Sequence, residues 1–191
     1  RGVNINDQLK RYYEMLYPSQ LNENEYVCLF MVKTDEEGNP VYHKDGTEIK
    51  FHKYVKKYEQ YEELIKKYKY NYHIYTALST VKFDRKKELH RREANMRQRR
   101  VLFIDFDKKD YQNLHSVQEF TQMIKDKLPN LFLHAVYDSG NGYHFYTIIK
   151  PTCKVRELCE LNKEISQLVG ADTNACKVTQ VARVPTTYNR K

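Results

Sequence analysis

The stretch Val101-Leu102-Phe103-Ile104-Asp105-Phe106-Asp107 constrains this chain more than any other. Four apolar residues run straight into two aspartates separated by one residue. A short continuous apolar run reads as a strand buried on both faces. Side chains alternate along a strand, so the two carboxylates leave its end on the same side. Two carboxylates held together repel unless positive charge lies between them. The usual remedy is a hard divalent cation with oxygen ligands, Mg²⁺ or Mn²⁺. Taken alone, the pair is equally well explained as two acidic residues opening a loop that continues Lys108-Lys109-Asp110.

Charge distribution adds to this. The net charge is +8, and residues 82–100 hold nine basic residues against three acidic ones. Most of the excess therefore abuts the aspartate strand. A basic segment beside a cation site suits phosphate-rich ligands, nucleotides or a nucleic-acid backbone; the plainer account is a solvated, charged helix. Cys28, Cys153, Cys159 and Cys176 form no CxxC pair and show no zinc spacing, which reads as free thiols in a reducing cytoplasm. No signal peptide and no apolar run of about 18 residues is present, so no membrane partner is expected. The chain opens on Arg1 and closes on Asn189-Arg190-Lys191, which reads as a domain excised from a longer protein. Tyr54, Tyr58, Tyr61 and Tyr68 are spaced for the packing stripe of one helix, with base stacking as the alternative.

Periodicity and punctuation predict helices over about 6–17, 54–69, 116–128 and 154–169. Strands are expected at 26–33, 72–80, 101–106, 131–137 and 143–149, with a last extended piece at 176–182. Ser116 and Glu119 form a capping box. From residue 101 the order is β-α-β-β-α-β, the ferredoxin-like split βαβ unit. The predicted class is α+β: a mixed sheet with helices on one face at 72–191, and an α/β extension at 1–71 packed on it. In that unit the first and third strands are neighbours, so Asp105, Asp107 and His144 share one face.

Three elements then converge: Asp105-x-Asp107; Ser139-Gly140-Asn141-Gly142-Tyr143-His144; and Gly170-Ala171-Asp172, followed by Lys177 and Arg183-Val184-Pro185-Thr186-Thr187-Tyr188-Asn189. This set resembles the archaeo-eukaryotic primase superfamily, in particular the primase-polymerase domains of plasmids, phages and other mobile elements. Tyr75-Thr76-Ala77-Leu78-Ser79 and the basic segment look like the same branch, whose tail usually carries a glycine where Thr186 stands. The resemblance covers about residues 72–191.

It implies a template-dependent nucleotidyltransferase, a DNA primase or DNA polymerase, working by two-metal phosphoryl transfer. Asp105, Asp107 and Asp172 would hold Mg²⁺ or Mn²⁺. Ser139, His144, Lys177, Arg183 and Asn189 would meet the nucleotide, and Arg97, Arg99 and Arg100 the nucleic acid. The glycines beside Ser139 would let the backbone approach the nucleotide. Implied partners are a single-stranded DNA template, nucleoside triphosphates, and a fused or separate helicase. Three other readings compete. A rolling-circle-type replication initiator needs His-x-His, which His144-Phe145-Tyr146 lacks. A non-catalytic nucleic-acid-binding module needs no clustered acids. A metal-dependent nuclease would not explain the histidine and arginine.

Overall fold

The computed structural model describes residues 5–84, 86, 88–185 and 187. Its elements are α1 (Ile5–Leu16), β1 (Glu25–Lys33), β2 (Lys50–Val55), α2 (Tyr58–Tyr68), β3 (Tyr72–Ala77) and β4 (Val81–Lys82). They continue with β5 (Arg99–Asp107), α3 (Val117–Lys127), β6 (Ala135–Asp138), β7 (Gly142–Thr152), α4 (Val155–Val169) and β8 (Val181–Arg183). The fold is α+β, as predicted. Residues 188–191 and 186, which include Asn189, lie outside the described residues.

Local signals place the helices. Leu9, Tyr12, Tyr13 and Leu16 bury one stripe of α1, and the helix stops before Pro18, which disfavours helical geometry in the residue preceding it. Ser116 accepts the Glu119 N–H at 3.2 Å and Glu119 accepts the Ser116 N–H at 3.4 Å, closing the capping box of α3. α4 ends at Gly170, whose φ of +78° is the left-handed C-terminal turn. The second helix starts later than predicted, at Tyr58. Tyr54 and Val55 instead pair with Cys28 and Val27 of β1, and the Gln60 side chain accepts the Lys56 and Lys57 N–H groups to set the new start. The tyrosine stripe is therefore Tyr58, Tyr61 and Tyr68, turned into the core, while Tyr54 packs on the other face of the sheet with Cys28.

Two sheets result. The first has the order β2-β1-β3-β8, with β4 also pairing β1; the second has the order β5-β7-β6. All these pairings are antiparallel, so neither sheet is mixed in strand direction. β5 and β7 are neighbours, as the split βαβ order requires. The last strand departs from that pattern. β8 leaves β5 and pairs with β3 through Tyr75↔Arg183, Thr76↔Ala182 and Ala77↔Val181. The edge of β5 that it would have covered is satisfied otherwise. Asn162 of α4 accepts the Phe103 N–H and donates to the Phe103 carbonyl, both at 2.7 Å. Two residues on, the Asp105 carbonyl accepts the Asp172 N–H at 2.9 Å. A helix side chain and a loop amide thus stand in for a strand.

Alternation along β5 sorts its side chains. Ile104 and Phe106 face α3 and α4 together with Phe120, Ile124 and Phe145. Val101 and Phe103 face the other way, into a core shared with α1, α2 and the inner side of the first sheet. Asp105 and Asp107 continue that second row and emerge where the two sheets meet.

Candidate functional site

The site is a cleft of about 330 Å³ with one wall from each sheet. Asp105, Asp107 and His144 come from β5 and β7, Ser139 and Asn141 from the turn before β7, and Tyr75, Gln180 and Arg183 from the opposite side. A smaller recess of about 240 Å³, lined by Tyr137, Asp138, Gly140, Pro185 and Thr187, shares Ser139, His144 and Arg183 with it.

On the acidic wall, Asp105 lies directly across from His144 and Asp107 across from Gly142. The Asp105 carboxylate is 3.5 Å from His144 Nε2. Each partner is shifted away from its charged form. Burial, then the nearby Arg183 charge, pushes His144 down to about 4. Burial, then the carboxylates of Asp172, Asp107 and Asp110, pushes Asp105 up to about 7. A neutral ring therefore faces a carboxyl starved of positive charge. The imidazole is held edge-on against Phe103, with ring centroids 5.0 Å apart.

Asp107 and Asp172 each do local work as well. Asp107 accepts the Lys109 N–H at 3.3 Å and lies 3.4 Å from the Lys109 ammonium. Asp172 accepts the Asn174 N–H at 2.9 Å. The loop-opening account of the aspartates is thus part of the structure: both carboxylates cap short turns. Among the described residues, the three acidic or histidine side chains whose ligand atoms all fall within 4.8 Å of one another are Asp84, Glu88 and His90. They are not the cleft aspartates. Asp84 there accepts the Lys86 and Glu88 N–H groups, as an exposed turn does. Asp110 is an addition to the acidic group that its loop position in the sequence hides.

The turn before β7 has a structural logic. Gly140 sits at φ +88°, and a Cβ on Gly142 would lie 1.7 Å from the Phe106 carbonyl oxygen. The glycine expected to face a nucleotide is demanded by the backbone of β5 itself. Ser139 closes the turn: its N–H and Oγ both donate to the Gly142 carbonyl, at 2.9 and 3.2 Å.

The cationic wall is Arg183, half-buried on β8. Its guanidinium donates to the Tyr75 hydroxyl at 3.2 Å and lies over that ring. Tyr75 was visible in the sequence only as part of a motif without a role; what it does depends on β8 pairing with β3.

Four expected contact residues lie elsewhere. Lys177 is exposed, and its carbonyl, not its ammonium, is engaged, by Arg99. Arg99, expected to meet nucleic acid, is 1% exposed. Its guanidinium donates to Ser79 Oγ and to the carbonyls of Lys177 and Val178. The strand is irregular between Arg99 and Val101, so the alternation of residues 101–107 does not extend to Arg99, which turns toward Ser79 and the loop before β8. Arg97 donates to the Cys153 sulfur. Arg100 donates to the Tyr17 carbonyl and lines a separate cavity with Lys10 and Lys57. Among its described residues the basic segment forms no continuous helix; a short 3₁₀ turn lies at Glu93–Asn95.

The sequence matches no protein-family description and no curated protein. Among solved structures, the fold is similar to the archaeo-eukaryotic-primase (AEP) domain of the primase-polymerase of cyanophage S-2L. The TM-score is 0.61 at 13% identity, over 97% of this chain and 85% of that one. The likeness is one of fold. No described helix is long and apolar enough to cross a membrane.

Proposed function

We propose that this chain is a template-dependent nucleotidyltransferase, a DNA primase or DNA polymerase, of a plasmid, phage or mobile-element replication system. The observation that carries the reading is the cross-strand pair Asp105–His144, with Asp107 beside it and Arg183 across one cleft, and with Asp172 tied to Asp105 through its N–H on the Asp105 carbonyl. The shared fold of a phage primase-polymerase domain supports it. In this reading residues 72–191 carry the chemistry, and β1 and β2 of residues 1–71 extend the sheet to which β3 and β8 belong.

The donor set fits a hard divalent cation. It consists of carboxylate oxygens, and the raised Asp105 is what a buried acidic group shows when it lacks a counter-charge. Asp105, Asp107 and Asp172 would hold Mg²⁺ or Mn²⁺. When bound, the ions supply charge stabilisation for the attacking 3′-oxygen and the departing pyrophosphate. The chain's own residues bind and orient. Arg183, a planar cation, is suited to a phosphate of the incoming nucleotide. His144, neutral and held by Phe103, would donate a ring N–H to a phosphate oxygen, and Ser139 lines the same wall.

The test is nucleotide incorporation on single-stranded DNA with Mg²⁺ or Mn²⁺, with and without a primer. The Asp105→Ala/Asp107→Ala variant is expected to lose at least about 1000-fold in rate while keeping its thermal midpoint. Normal extension by that folded variant would remove the aspartates from the chemistry. No product from any protein, with salt-dependent DNA binding intact, would favour a binding module.

A further inference from the structure

Arg183 reaches the cleft from the end of a row that crosses the whole first sheet. The strand register sets His52 of β2, Phe30 of β1, Tyr75 of β3 and Arg183 of β8 side by side. Leu29 and Met31 of β1 enter the core, so by alternation this row stands on the sheet's other face. The His52 and Phe30 rings stack at 4.8 Å, and Phe30 and Tyr75 lie 6.0 Å apart. The row ends with the Arg183 guanidinium carbon 5.1 Å from the Tyr75 centroid and its Nη2 donating to the Tyr75 hydroxyl.

The far end is clamped from the basic segment. Arg91 lies over Phe30 at 5.2 Å and donates to His52 Nε2 at 3.1 Å. It also donates to the Thr179 carbonyl at 2.7 Å, two residues before β8 begins. Burial and then Arg91 push His52 down to about 4, so its ring is a neutral acceptor for that bond. One arginine thus fixes both the backing of the row and the loop that delivers β8.

An arginine side chain loses rotamer freedom when a ligand immobilises it. Holding the guanidinium beforehand removes part of that cost from the binding step. We propose that Tyr75 is a positioning residue for Arg183, setting its guanidinium toward the cleft by ring face and hydroxyl, with Phe30 and His52 as the rigid backing. This rests on reading the cleft as a triphosphate site.

The experiment measures binding of inorganic tripolyphosphate by calorimetry, together with KM and kcat for nucleotide addition. The variants are Tyr75→Phe, Tyr75→Leu, Arg183→Ala and the double variant Tyr75→Leu/Arg183→Ala. Tyr75→Leu is expected to weaken tripolyphosphate about 10-fold and to raise KM by the same factor, with kcat within about twofold. Tyr75→Phe, which keeps the ring and the packing, is expected to cost about threefold, and it carries the test if Tyr75→Leu does not fold. With Arg183 already alanine, Tyr75→Leu should have no further effect.

An equal loss in both backgrounds, or unchanged binding in the folded Tyr75 variants, would overturn the assignment, as would tripolyphosphate binding indifferent to Arg183→Ala. If the wild-type protein adds no nucleotide while its tripolyphosphate binding follows the expected pattern, the positioning role stands and the polymerase reading falls.

Discussion

The two walls of the cleft are built in opposite ways. The acidic wall belongs to β5 and β7, strands of 9 and 11 residues paired along most of their length. The cationic wall hangs on β8, a strand of 3 residues joined to β3. On the first wall, register is over-determined: a one-residue slip would turn Phe106 out of its cluster and Asp105 into it. On the second, three ladder positions cannot define a register alone, and side chains from elsewhere hold it. Arg99 of β5 grips the carbonyls of Lys177 and Val178, and Arg91 grips that of Thr179. A long pair makes its own geometry; a short one borrows it.

Substitutions can break this contrast. Gly142→Ala should do the most damage, because the new Cβ meets a backbone carbonyl that cannot move without unpairing β5 from β7. We expect a loss of about 4 kcal/mol by chemical denaturation; a loss below about 1 kcal/mol would mean that the acidic wall tolerates a different register. Arg99→Met roughly keeps the volume but leaves Ser79 Oγ and the Val178 carbonyl without their donor, while the Lys177 carbonyl keeps the Gln180 N–H. It should cost about 3 kcal/mol and raise amide exchange around β8 more than around β7. A variant with full stability and weakened DNA binding would return Arg99 to the surface role its sequence context suggests. Asn162→Ala uncovers the edge of β5 and should cost about 2 kcal/mol, with Phe103 losing protection in hydrogen exchange. Ser116→Ala removes a cap remote from both walls. It is expected to cost about 1 kcal/mol and to leave nucleotide KM unchanged; a shift in KM would show that α3 is coupled to the cleft. Lys177→Ala, smallest of all, should change nucleotide KM by less than about twofold, and a tenfold rise would put its ammonium in the cleft.

What can be read from the chain alone follows distance along it. The end of α1, the capping box of α3, the glycine stop of α4 and the apolar face of β5 rest on neighbours a few residues apart, and each is where the pattern puts it. Tyr54 and Val55 fit a helix or a strand equally by local pattern, and only pairing with β1 decides for the strand. Asn162 gave a faint signal, a polar residue inside the buried stripe of α4; its partner on β5 was 59 residues away.

The sequence by itself determined the acidic wall: two aspartates on one face of a strand, and a histidine on the strand that the β-α-β-β-α-β order makes its neighbour. Tertiary structure decided the other wall. Whether the final three-residue strand pairs with β5 or with β3 depends on who covers the free edge of β5. Asn162 and Asp172 cover it, so β8 crosses to the first sheet and brings Arg183 to face the aspartates against Tyr75. A strand that short has too few ladder bonds for its local sequence to choose its partner, so the choice falls to contacts many tens of residues away.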